Sequence, residues 1–123
     1  MLTGEIKSYN DIPENSTLKH FPRFSPENFP KNLELVKSIE DIAQSKGVTP
    51  AQLAIAWVRY LSAVEGNPVI MPIPGATKES RIIENAKEVT LEEEDIKKID
   101  LILSSFEAVG GRYGGPGAQF MDG

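Results

Sequence analysis

Cysteine is absent from this sequence. Disulfides, thiolate metal sites and a thiol nucleophile are therefore excluded. Histidine occurs once, at His20, with no serine–aspartate pattern around it, so it reads as a loop residue without a catalytic role. One histidine and no cysteine also leave too few of the usual ligands for a metal site. A basic excess is missing: Lys and Arg number 13 against 18 Asp and Glu, for a net charge of −5. Nucleic acid is not an expected partner, because it would want a clustered basic face. No apolar run approaches membrane-spanning length, and the opening Met1-Leu2-Thr3-Gly4 carries no charged or amphipathic leader. The expectation is a cytoplasmic protein with no membrane partner.

What remains is 123 residues of ordinary composition, 40% apolar and 25% charged, enough for one small domain. Residues 8–30 hold Pro13, Pro22, Pro26 and Pro30, which argue for a long loop. Phe21, Phe24 and Phe29 lie in it, and loop aromatics anchor a surface or line a pocket. A helix is predicted over residues 32–45 from Leu35, Val36, Ile39, Ile42 and Ala43, with Gly47 as its left-handed end. Thr49, Pro50 and Gln52 form a capping box opening a second helix through Leu61, apolar nearly all round and hence buried on more than one side; Tyr60 is assigned to its core. A last helix starts at Thr90 with Glu93 as its box partner and Ile96, Ile99, Leu103 and Phe106 as its stripe. Glu92 to Asp95 form an acidic helix start, not a catalytic carboxylate pair. The glycine-rich tail of residues 108–123 is flexible unless Arg112 and Tyr113 are pinned.

The most informative stretch is residues 69–85. An apolar run without alternation, residues 69–73, reads as a parallel strand covered on both faces. Pro74 and Gly75 break it, and Thr77 caps a helix over residues 78–87 that turns Ile82, Ile83, Ala86 and Val89 inward. A helix N-terminus presents unpaired N–H groups and positive potential, and Lys78 and Arg81 stand beside it. A phosphate is the natural occupant, preferred over a merely solvated helix face.

One buried parallel strand cannot close a sheet, because orphaned buried backbone groups cost on the order of 1–3 kcal/mol each. The order strand stub, loop, helix, helix, strand, helix, helix fits the end of a repeating β/α structure. A complete (β/α)₈ barrel takes about 250 residues, roughly twice this length. At this point several motifs coincide: Leu2-Thr3-Gly4, Pro22-Arg23-Phe24, the run from Lys46 to Val58, Pro72-Ile73-Pro74-Gly75-Ala76-Thr77-Lys78 with Arg81, Glu84 and Asn85, and Gly110-Gly111-Arg112-Tyr113. In order and spacing they resemble the C-terminal portion of an aldo-keto reductase, in the microbial and fungal branch that includes pyridoxal reductase.

The resemblance implies an α/β fold: the C-terminal portion of a (β/α)₈ TIM barrel, predominantly helical as it stands, with about four helices and one clear strand. It spans residues 1–123, with 69–73 as the eighth strand and the loop of residues 5–31 over cofactor and substrate. It implies an oxidoreductase in which NADP(H) reduces a small aldehyde or ketone. Gly75, Ala76 and Thr77 would approach the adenosine 2′-phosphate through backbone, Lys78 and Arg81 would neutralise it, and Glu84 and Asn85 would meet the adenine edge. Phe21 and Phe24 would stand near the substrate pocket. No position matches the family's catalytic Asp, Tyr, Lys and His, which lie upstream. The expectation is therefore a fragment without catalytic residues, inactive alone. The alternatives are a non-catalytic helical module or a regulatory aldo-keto-reductase-like subunit, docking on another chain.

Overall fold

The computed structural model describes residues 1–114. Gly115 and Gly117, counted above in the tail, lie outside them. Four α-helices follow three short 3₁₀ turns, at Tyr9–Asp11, Thr17–His20 and Pro22–Phe24. The helices are α1 (Phe29–Lys46), α2 (Pro50–Leu61), α3 (Glu79–Ala86) and α4 (Glu93–Ser105). Prolines break residues 8–30 into turns, as their fixed φ requires, but Pro30 sits in the first turn of α1. The loop therefore ends earlier than expected. Proline is tolerated there because that turn's N–H has no intrahelical partner.

Helix α1 buries Phe29, Asn32, Val36, Ile39, Ile42 and Ala43 at three- and four-residue spacings. It ends at Gly47, whose φ of 68° is the left-handed conformation that glycine adopts cheaply. Val48 N–H donates to Ala43 O (3.0 Å) and Gly47 N–H to Gln44 O (3.1 Å), satisfying two terminal carbonyls. Helix α2 begins with the anticipated box: Thr49 N–H donates to Gln52 Oε1 (3.0 Å) and Gln52 N–H to Thr49 Oγ1 (3.2 Å). Buried Gln52 also donates through Nε2 to Glu84 O (3.1 Å), joining the start of α2 to the end of α3.

Ile39, Ile42, Ala43, Leu53 and Ile99 form the core, so α1 packs against both α2 and α4. Leu35, Val48, Trp57, Leu91 and Ile102 cover it. A Lys46–Asp95 ion pair (2.5 Å) ties the end of α1 to the start of α4.

Several expectations change. No described residue is in a β-strand, and residues 69–73 run as unpaired extended chain. Val69, Met71 and Ile73 are 87%, 81% and 91% exposed, because a strand needs a neighbour to pair with and none is present. Ser62 tethers them: its Oγ accepts from Ile70 N–H (2.7 Å) and donates to Ile70 O (2.9 Å). Ile82, Ile83 and Ala86, expected to turn inward, face solvent instead of a core. Helix α3 is capped at Lys78, not Thr77, with no side-chain hydrogen bond. Helix α4 is capped at Glu92, not Thr90. Asp95 accepts from Glu92 N–H (2.9 Å) in the box that forms, and Leu91 ahead of it packs on the core. Leu103 and Tyr60, assigned to the core, are 38% and 37% exposed. Helix α2 is buried along only part of its circumference, at Gln52, Leu53 and Ala56.

Candidate functional site

Between residue 74 and the start of α3 the chain is irregular, bends at Thr77 and Lys78, and is exposed. Lys78 has extended backbone (φ −130°, ψ 143°), and its carbonyl accepts the first helical bonds, from Arg81 N–H (3.0 Å) and Ile82 N–H (3.3 Å). Without a capping side chain, the N–H groups of the first turn are open to an outside acceptor. No atom lies within 4 Å of where a Cβ on Gly75 would be. The glycine therefore leaves backbone bare rather than relieving a clash.

An open cleft of about 700 Å³ lies against this turn. All seven residues singled out from the sequence line it: Gly75, Ala76, Thr77, Lys78, Arg81, Glu84 and Asn85. Thr3, Glu5, Ala51 and Ser80 complete the walls.

Its electrostatics are more balanced than a phosphate site alone would suggest. Arg81 Nη1 donates to Glu84 Oε2 (2.6 Å), and Nη2 forms an ion pair with Glu5. The Glu84 hydrogen bond, then the Glu5 charge, hold the guanidinium even more firmly protonated than usual. The Thr49 hydroxyl, then Arg81, hold the Glu84 carboxyl below its ordinary range. Among the described residues Lys78 makes no ion pair, which leaves its ammonium available.

Glu5 is the residue that sequence reasoning missed. It stands 76 positions from Arg81, and no local spacing connects the two. A turn closed by Gly4 N–H to Met1 O (3.1 Å), with Gly4 at φ 70°, presents it to the cleft.

Phe21 and Phe24 line a second, more apolar cleft of about 540 Å³ with Arg23, Phe106, Arg112 and Tyr113. Phe24 also stacks on buried Phe29 (5.6 Å between centroids), and Phe21 meets Tyr113 edge-on (5.5 Å), so both have packing roles. Arg23 Nε donates to Gly110 O (3.1 Å), and Asn32 bonds to Arg23 O and to both backbone groups of Val109. His20 is exposed, and no group of three His, Asp or Glu suited to a metal occurs among the described residues. Among the described residues no helix is long and apolar enough to cross a membrane.

The helical scaffold and its uncapped α3 terminus fit a class defined by comparison with known proteins. The Aldo/keto reductase family profile matches residues 1–104, and the chain belongs to that family. It is 41% identical over 126 residues to the aldo-keto reductase yakc of Schizosaccharomyces pombe, whose name specifies NADP(+). That match covers 98% of this chain and 35% of the relative. It is 37% identical to a putative pyridoxal reductase of Saccharomyces cerevisiae, over 92% of this chain and 35% of the relative. A probable aldo-keto reductase 1 of Glycine max is 41% identical, over 84% of this chain and 29% of the relative. The chain thus spans about a third of the length of these relatives. No solved structure matches it.

Proposed function

We propose that this chain is the C-terminal portion of an NADP-dependent aldo-keto reductase, and that the α3 cleft holds the adenosine 2′-phosphate end of NADP(H). The observation that carries this is the gathering of residues 75–78 with Arg81, Glu84 and Asn85 around an uncapped helix N-terminus, in a chain of this family. The residues present fit the group. Bare backbone at Gly75, with exposed Ala76 and Thr77 beside it, admits close approach, and Lys78 and Arg81 supply charge-assisted donors. Glu84, engaged by Thr49 and Arg81, holds the guanidinium in place, and Asn85 offers an amide to the adenine edge.

When bound, NADPH supplies a hydride, and the proposed parent reaction reduces an aldehyde or ketone to an alcohol. Residues 69–73 are read as the eighth strand of a (β/α)₈ barrel, unpaired here because its neighbours lie outside this chain. Phe21 and Phe24 are read as the near wall of the carbonyl substrate's pocket. The catalytic groups lie elsewhere in that barrel, so the purified chain is expected to turn over no aldehyde; measurable turnover overturns this.

The test of the cofactor assignment is calorimetric titration with NADPH and NADH. Arg81→Ala should weaken NADPH about tenfold, the scale of one charge-assisted bond, and leave NADH nearly unchanged. Equal losses for the two cofactors refute the 2′-phosphate assignment.

A second reading, a non-catalytic or regulatory module docking on another chain, draws on one observation. Trp57 Nε1–H is buried without an acceptor among the described residues. A melting transition that depends on concentration and ignores NADPH favours it.

A further inference from the structure

We propose that Glu5 is a selectivity residue of the α3 cleft, setting the balance between a 2′-phosphorylated and an unmodified adenosine ribose. The proposal rests on the cofactor reading above. Two cations and two carboxylates line the cleft, namely Lys78 and Arg81 against Glu5 and Glu84, so the side chains bring no net positive charge to an incoming phosphate. The two carboxylates are not equivalent. Glu84 is only 17% exposed in its side chain and is held by Thr49 as well as Arg81. Glu5 is 62% exposed and sits just after the Gly4 turn, with Arg81 as its ion-pair partner. Arg81 is thus clasped from both sides, by a largely covered Glu84 and an exposed Glu5.

A phosphate dianion reaching Nη2 of Arg81 must displace the Glu5 carboxylate and then remain beside its charge. A ribose diol carries no charge to be repelled and finds in Glu5 an acceptor for its hydroxyls, the arrangement by which an acidic residue favours unphosphorylated dinucleotides. One side chain thereby acts in opposite directions on the two ligands. An exposed pair of this kind is weak enough for a ligand to open, so Glu5 biases the choice without blocking it.

The probes are adenosine 2′,5′-bisphosphate and 5′-AMP, which share the adenosine end and carry no nicotinamide. Both are titrated calorimetrically into the full chain and its Glu5→Gln, Glu5→Ala and Arg81→Ala variants. Because Glu5 is exposed, unchanged melting curves are expected for its two variants. Each should raise the affinity ratio of bisphosphate over AMP about threefold or more, and the gain should shrink as salt rises. A ratio that is unchanged or lower in both Glu5 variants overturns the proposal. A bisphosphate preference that depends on Arg81 but is indifferent to Glu5 leaves the cofactor reading standing and removes only Glu5 from it. Failure of the bisphosphate to bind better than AMP in any of the proteins refutes the cofactor reading and the proposal together.

Discussion

Replacing Asn32 should unfold the junction between the two ends of the described chain. The side chain is buried at 2% exposure and makes three hydrogen bonds. Nδ2 donates to Arg23 O (3.0 Å) and to Val109 O (2.9 Å), and Oδ1 accepts from Val109 N–H (2.9 Å). Asn32→Ala leaves those three backbone groups without their partner. At about 1 kcal/mol for each, water replacing some of the loss, the cost comes to about 3 kcal/mol. That is a large part of the 5–15 kcal/mol typical of a domain, and lowers the melting temperature by roughly 10–15 °C. Urea unfolding monitored by circular dichroism measures it, and amide exchange at Val109 should quicken in parallel. Asn32→Asp, nearly isosteric, should cost at least as much at neutral pH, because it sets a carboxylate against two carbonyls. Partial recovery on acidification, as one oxygen regains a proton, separates that electrostatic cause from cavity formation. Gly110 gives an independent check: at φ 86°, an added Cβ would lie 2.8 Å from Pro22 C and 2.9 Å from Pro22 O. Both changes act on the same docked segment, so Asn32→Ala and Gly110→Ala together should cost less than their sum. A loss under about 1 kcal/mol for Asn32→Ala, or full additivity, refutes this account of the junction.

Acid should destabilise the fold. Thr49 and then Arg81 hold the Glu84 carboxyl low. Burial pushes Asp95 up, but the Lys46 ion pair and the Glu92 N–H outweigh it, leaving it low as well. A carboxylate whose folded pKa is depressed contributes stability that is present above its unfolded value and lost as pH falls through the folded one. Urea midpoints should therefore hold steady down to about pH 5 and decline below roughly pH 4. Glu84→Gln should make that decline shallower, and a midpoint that rises between pH 5 and 3 counts against both assignments. Gly47→Ala should cost roughly 1 kcal/mol through backbone conformation alone, since nothing lies within 4 Å of the added methyl. A neutral result by urea unfolding would mean that the end of α1 relaxes.

Helix ends and the core stripe were legible in the sequence wherever the determining groups are neighbours. Gly47 as the left-handed end of α1 and the Thr49–Gln52 box of α2 both stand in the structure. Where two local signals compete, propensity does not choose. Thr90–Glu93 and Glu92–Asp95 both have box spacing, and the second forms. There Leu91 lies on the core and Asp95 reaches Lys46, contacts made by residues distant in sequence. The site divides in the same way. The helix N-terminus alone pointed to Lys78 and Arg81; the other five residues were legible only through the family resemblance, and the structure gathers all seven along one cleft. Glu5 was not legible, since its partnership with Arg81 is created only when the Gly4 turn is brought to α3.

Residues 69–73 mark the limit in the other direction. Their apolar, unalternating pattern encodes burial on both faces, yet Val69, Met71 and Ile73 stand in solvent. Side-chain pattern records the environment for which a segment is suited; hydrogen-bonded neighbours decide whether it becomes a strand. The outward Ile82 and Ile83 of α3 repeat the mismatch on a second element. Two adjoining elements displaying unused burial capacity argue that the missing contacts share one cause, a common layer absent among the described residues. The chain spans about a third of its relatives, and under the proposed function the remainder of the barrel would supply that layer. The α3 cleft does not depend on it in the same way. Its backbone, its two cations and the carboxylates that oppose them are all contributed by this chain, so its selectivity can be measured on this chain alone.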